Sequence, residues 1–214
     1  VNGDKTHAEF ADKNTAAAGV LTSNIDLESR EWSPMMGFNG SFDGQGYAIT
    51  KLKITQKSND IGFFGSSSGT IGGFTLEGNM ILSGGGANTV GGIVGYANGG
   101  TVSQVTSAVQ ISNNGSAYKH VGGVIGGVGN AETAIEKCIF TGSVNLSDST
   151  DCIGGVVGYT NGGARISHCA NLGTVTATAS GAYVGGILGY LNNSNPSLKN
   201  CYNYGEVKNG GGDH

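Results

Sequence analysis

"VGGIVGY", residues 90–96, has the Val and Ile of a β-strand but places Gly at Gly91, Gly92 and Gly95. Glycine weakens a strand, because it costs backbone entropy and offers no side chain to pack. The same compromise recurs as "VGGVIGG" at 121–127, "IGGVVGY" at 153–159 and "VGGILGY" at 184–190, with starts 31, 32 and 31 residues apart. A looser copy, "IGFFGSS" at 61–67, begins 29 residues before the first. A second motif follows each copy: "TVSQVTSAV" at 101–109, "AIEKCIFTGSV" at 134–144, "RISHCANLGTV" at 165–175 and "SLKNCYNYGEV" at 197–207. "TIGGFTLEG" at 70–78 is the degenerate member. A fixed period of this size marks a repeat protein whose units bury their apolar faces only by stacking.

The composition narrows the architecture. Of 214 residues 41 are Gly and only two are Pro, against a usual Gly content of about 7%. With regular Val and Ile, this is neither collagen nor a flexible linker. Ankyrin and tetratricopeptide units share the period but are helical, whereas these units are full of poor helix formers, Gly, Val, Thr, Ser and Asn. Kelch blades need about 50 residues. A parallel β-helix remains, one ~31-residue repeat per coil, with about three short strands. Strands are expected at 90–96, 101–105 and 108–112, with turns at 97–100, 160–163 and 191–194. Asn98, Asn161 and Asn192 align in those turns as a candidate ladder, since Asn tolerates the left-handed backbone of tight corners. Gly-flattened strands would let neighbouring walls approach closely while β-branched residues fill a narrow core.

The doublet-Gly strand followed by "[IVL]-x-x-C-x-x-x-G-x-V" resembles the GLUG repeat of bacterial surface and secreted proteins. These include adhesin-like proteins and segments attached to immunoglobulin A proteases. The stretches at 21–35 and 38–54 resemble the lead-in coils of such proteins, so the resemblance covers about residues 20–207. Here Ile or Val often replaces the Leu of that repeat. The resemblance implies an extracellular or cell-surface location, a signal peptide having been removed, and an adhesin-like role toward a host or matrix glycan or protein.

The expected fold is an all-β, right-handed parallel β-helix of about six coils, handedness following the general preference of parallel crossovers. It forms one domain over 1–214: an N-terminal cap at 1–20, lead-in coils at 21–60, repeats at 61–207 and a tail at 208–214. "THAE" at 6–9 fits a capping box with Thr6 as N-cap and Glu9 reaching back, predicting a short helix over 7–13. The C-terminal coil has no comparable cover, and an open edge invites another chain. Either a downstream domain or end-to-end self-association is expected there.

Candidate chemistry is sparse. Cys138, Cys169 and Cys201 share one repeat position with Phe74 and Val105, so they should form an inward column of free thiols about 4.8 Å apart. In-register side chains point the same way, which disfavours a disulfide. Cys152 sits in a different column, with Thr89, His120 and Tyr183. His168 is on the opposite face from Cys169, so no metal or other cofactor is expected. Between 90 and 207 the acids are Glu132, Glu136, Asp148, Asp151 and Glu206; Glu136 shares its repeat position with the non-acidic Ser103, Ser167 and Lys199, and Asp148 and Asp151 lie three apart in one turn. A polysaccharide-degrading enzyme would need carboxylates converging on one wall. The net charge of −4 and lack of a basic stripe argue against nucleic acid, and no apolar run suits membrane insertion.

The aromatic residues carry the best functional signal. Tyr96, Tyr159 and Tyr190 align at the end of the doublet-Gly motif, with Gly127 interrupting the row. Rings in a row could stack against sugars; equally, they could close the corner structurally. Tyr202 and Tyr204 on the last coil are further candidates. The expectation is a non-catalytic adhesin-like module, with a polysaccharide-degrading enzyme and a ligand-free stalk as alternatives.

Overall fold

The structure is a computed structural model describing residues 15–55, 58–83, 89–114, 119–147, 150–178, 182–192 and 197–210. It is all-β, with parallel sheets stacked as a β-solenoid of about five turns. One coil contains Thr89–Gly91, Val94–Ala97, Thr101–Ser103 and Thr106–Asn114. Each of these strands pairs in parallel with its equivalents one repeat before and after, as in Val90↔Val121, Tyr96↔Gly127, Val102↔Ile135 and Thr106↔Ile139. Four sheets result, of seven, five, ten and five strands.

Two expectations change here. The expected single strand at 90–96 is two strands in different sheets, because the chain bends at Gly92–Ile93. The bend explains the glycines. A Cβ on Gly91 would lie 2.1 Å from the Val94 carbonyl oxygen and 2.6 Å from the Gly126 nitrogen. A Cβ on Gly95 would lie 2.5 Å from the Gly65 oxygen and 2.7 Å from the Ile61 nitrogen. The two half-strands therefore lie backbone against backbone, a packing that no larger residue permits. The count of about six coils also falls to about five. Without Gly doublets the lead-in strands, Ala18–Val20, Ile25–Asp26, Ser41–Asp43 and Ala48–Ile54, extend only the seven- and ten-stranded sheets. Opposite them only isolated bridges form, Met35↔Phe64 and Phe38↔Ser67.

The expected helix at 7–13 lies outside the described residues; among the described residues there is no helix.

Inside the solenoid, side chains stack in columns. Ile71, Val102, Ile135 and Ile166 form one; Phe74, Val105, Cys138 and Cys169 form another, all buried. A cluster of Phe38, Phe42, Phe63, Phe64 and Phe74 fills the N-terminal end, and Trp32 stacks on Phe63 at 4.3 Å. Just before the cysteine column the chain turns through left-handed residues: Gly73 (φ 74°), Gln104 (53°), Lys137 (53°), His168 (54°) and Asn200 (52°). This backbone is uncommon for residues other than Gly. Here the ladder continues through the corner and holds it: Gln104 N–H donates to the Glu136 oxygen at 2.9 Å, and Lys137 N–H to the Ser167 oxygen at 3.0 Å.

Candidate functional site

Two columns run side by side on the outside of the Gly-built walls. The first, Asp60, Thr89, His120, Cys152 and Tyr183, precedes the doublet-Gly motif in successive coils. The second, Ser66, Tyr96, Gly127, Tyr159 and Tyr190, ends it. At Tyr159 the second column leans over the first with an offset of one coil, whereas at Tyr190 it meets the same coil. Tyr159 thus stacks on His120 of the preceding coil, with centroids 4.1 Å apart and planes at 11°. Tyr159 and Tyr190 are nearly parallel at 6.1 Å, and Tyr190 meets Tyr183 at 4.6 Å.

The rings are tied to the turn asparagines. Tyr159 Oη donates to Asn161 Oδ1 at 3.2 Å and accepts from Asn192 Nδ2 at 3.0 Å. Asn192 Nδ2 also donates to Asn161 Oδ1 at 2.9 Å, and Asn161 Nδ2 donates to Asn130 Oδ1 at 2.7 Å. Asn98 Oδ1 accepts from the Ala131 N–H at 3.1 Å. The asparagine bonds run along the solenoid axis, and those at Tyr159 fix its orientation before any ligand arrives.

Gly127 leaves the row open. Tyr96 and Tyr159 flank it, two strand spacings or about 10 Å apart. The result is a cleft of about 410 Å³ lined by Asp60, Thr89, Tyr96, Lys119, His120 and Tyr159. Tyr96, Tyr159 and His120 are half-buried, so they expose part of each ring, while Thr89 is buried. Thr89 Oγ1 donates to Asp60 Oδ1 at 2.7 Å, leaving the second carboxylate oxygen open. Burial holds the His120 imidazole below its usual range; Asp151 opposes that shift and Lys119 adds to it. The ring is therefore neutral at pH 7.

Tyr202 and Tyr204 do not join this row. They lie on and just after a strand of the ten-stranded sheet, highly exposed, with rings 6.3 Å apart. The thiols of Cys138, Cys169 and Cys201 are unbridged, as is that of Cys152. Cys138 Sγ donates to the Val102 and Glu136 oxygens at 3.4 Å, and Cys169 Sγ to the Ser167 oxygen at 3.3 Å. Hydrogen bonding to Cys169 and burial hold the Cys138 thiol well above its ordinary range. Burial also pushes Cys152 up to about 12. Such thiols are poor nucleophiles at neutral pH.

His168 is exposed and bonds Asn200 at 3.1 Å. Among the described residues no group of three or more His, Cys, Asp or Glu is placed to hold a metal ion. No helix of the described residues is long and apolar enough to cross a membrane. A second cavity, about 340 Å³, lies at the N-terminal end of the core and is lined by apolar groups such as Leu21, Trp32, Phe38 and Phe42.

Sequence reading found Tyr96, Tyr159 and the gap at Gly127 but missed Asp60, Thr89, Lys119 and His120 as their companions. The available signal was position: Asp60, Thr89 and His120 each stand immediately before the motif. Comparisons with protein-family models, with curated proteins and with solved structures give no match.

Proposed function

We propose that this chain is a non-catalytic, adhesin-like module that binds glycans on its aromatic row, at a cell surface or secreted. The observation that carries this reading is the cleft beside Gly127, bordered by the Tyr96 ring and the Tyr159–His120 stack and lined as well by the polar groups of Asp60, Thr89 and Lys119. Sugar rings present C–H faces suited to aromatic stacking and hydroxyls suited to Asp60 and Thr89. A rigid aromatic also contributes contact area at little entropic cost. The resemblance of the repeats to the GLUG motif supports the same reading and suggests a host or matrix glycan as partner.

A structural stalk is the second reading. It is favoured by the hydrogen bonds that tie the Tyr159 hydroxyl into the asparagine ladder. An enzyme reading has less support, because among the described residues Asp60 is the one carboxylate lining the cleft and acid–base cleavage of a glycoside uses two.

The test is binding of the purified chain across a broad glycan panel, with release of reducing ends measured in parallel in the presence of calcium. Binding without release is expected, and it should be lost in a folded Tyr96→Ala/Tyr159→Ala/Tyr190→Ala variant. Release of sugar ends would replace the adhesin with an enzyme; no binding to any glycan would favour the stalk.

A further inference from the structure

The residues that line the cleft include two of opposite charge, Asp60 and Lys119. Asp60 and His120 stand two rungs apart in one column, Asp60↔Thr89↔His120, which is about 10 Å. Lys119 adjoins His120 at the far end from Asp60. Lys119 is exposed, and among the described residues its ammonium has neither a hydrogen bond nor an acidic partner. Several other cations among the described residues are paired with acids, as in Lys51–Asp26 at 2.6 Å and Arg165–Glu132 at 2.8 Å. Asp60, by contrast, is already oriented by Thr89 and has one oxygen left to accept a bond. One end of the cleft lining therefore offers an acceptor and the other an unpaired cation beside His120, with Asp151 near that end but outside the lining.

We propose that the cleft takes an acidic sugar unit, its anionic group on Lys119 and its hydroxyls donating to Asp60. This rests on the glycan-binding reading above. A neutral sugar would satisfy Asp60 and the tyrosines but leave the ammonium unused. A ligand anionic throughout would meet repulsion from Asp60. One ring with hydroxyls on one side and a carboxylate or sulfate on the other matches both ends. Uronate and sulfate esters share this chemistry, so the test carries both.

The experiment is calorimetric titration of the full chain with galactotriose, trigalacturonic acid and sulfated galactotriose, and with the corresponding manno-configured neutral and uronate trimers. Within at least one configuration, an acidic trimer should bind about tenfold more tightly than its neutral counterpart, the scale of one charge-assisted contact. Added salt should narrow that difference. Lys119→Gln, a change at an exposed side chain, should abolish the difference between acidic and neutral trimers. Comparing the uronate and sulfate arms then identifies the anion.

Equal affinity for acidic and neutral trimers would overturn the inference while leaving glycan binding in place. So would an acidic preference that survives Lys119→Gln. Absence of binding to every trimer, with Tyr159→Ala also silent, would overturn the inference together with the reading beneath it.

Discussion

Gly154→Ala should destabilise the protein by about 3 kcal/mol, the upper part of the range for overpacking a close-packed interior. The added Cβ would lie 1.9 Å from the Val157 oxygen, 2.7 Å from the Val157 carbonyl carbon and 2.9 Å from the Gly189 nitrogen. All three are backbone atoms, and they belong to two different coils, so no side chain can rotate aside. Relief requires the half-strands to separate and the ladders on both sides to lengthen. Urea unfolding followed by circular dichroism reads the effect as a lower midpoint. A useful contrast is Gly46→Asn. There φ is +80° and a Cβ meets nothing within 4 Å, and Asn tolerates that backbone, so the midpoint should move little. Equal shifts at both positions would mean that glycine acts here through backbone freedom alone rather than through close approach.

Phe140→Ala is expected to cost about 3–5 kcal/mol, as for other large buried aromatics. Phe140 is fully buried and sits in a slot that glycines make. A Cβ on Gly123 would lie 2.4 Å from its ring and one on Gly173 would lie 3.0 Å from it. Its column runs Leu76, Ser107, Phe140, Asn171, Asn203, which mixes apolar and polar residues, the first four buried and Asn203 exposed on the last coil. Ser107 donates to the Gly123 oxygen at 2.6 Å, and Asn171 donates to Asn203 Oδ1 at 2.7 Å. Neighbours tuned to such partners cannot collapse into the space a missing ring leaves. The same denaturant titration measures the loss. A cost below about 1 kcal/mol would show that this column can rearrange, as permissive cores do.

The sequence made the repeat, the parallel solenoid and the inward cysteine column legible, because period and burial are one-dimensional signals. It did not reveal the bend at Gly92–Ile93. An apolar run with glycines reads as one strand until the steric clash at Gly91 is seen. Nor did it reveal the left-handed corner at Gln104, Lys137, His168 and Asn200, since Gln and Lys carry little turn preference and mask the signal that Asn200 holds at the same repeat position. The corner is held by backbone bonds to the next coil.

The cleft was half legible. The tyrosine row and its gap are periodic, but the residues that complete the site come from the neighbouring column one coil earlier. That offset is a property of how two sheets lean together. His120 illustrates it: it lies 39 positions before Tyr159 in the chain, more than one repeat, yet it is the ring on which Tyr159 stacks.

Filling the gap tests the central claim most directly. Thr89→Ala/Gly127→Tyr restores a ring to the interrupted row and removes the Thr89 Cγ2 atom that would lie 2.7 Å from the new Cβ. Tyr183 and Tyr190 show that two rings fit side by side within one coil. The measurement is glycan binding by this variant beside the unaltered chain and the Thr89→Ala single variant, which accounts for the lost Thr89–Asp60 bond, with circular dichroism confirming that all are folded. Binding by the unaltered chain and its loss in the filled variant is the predicted result. Undiminished binding in the filled variant would place recognition elsewhere on the solenoid and contradict the account.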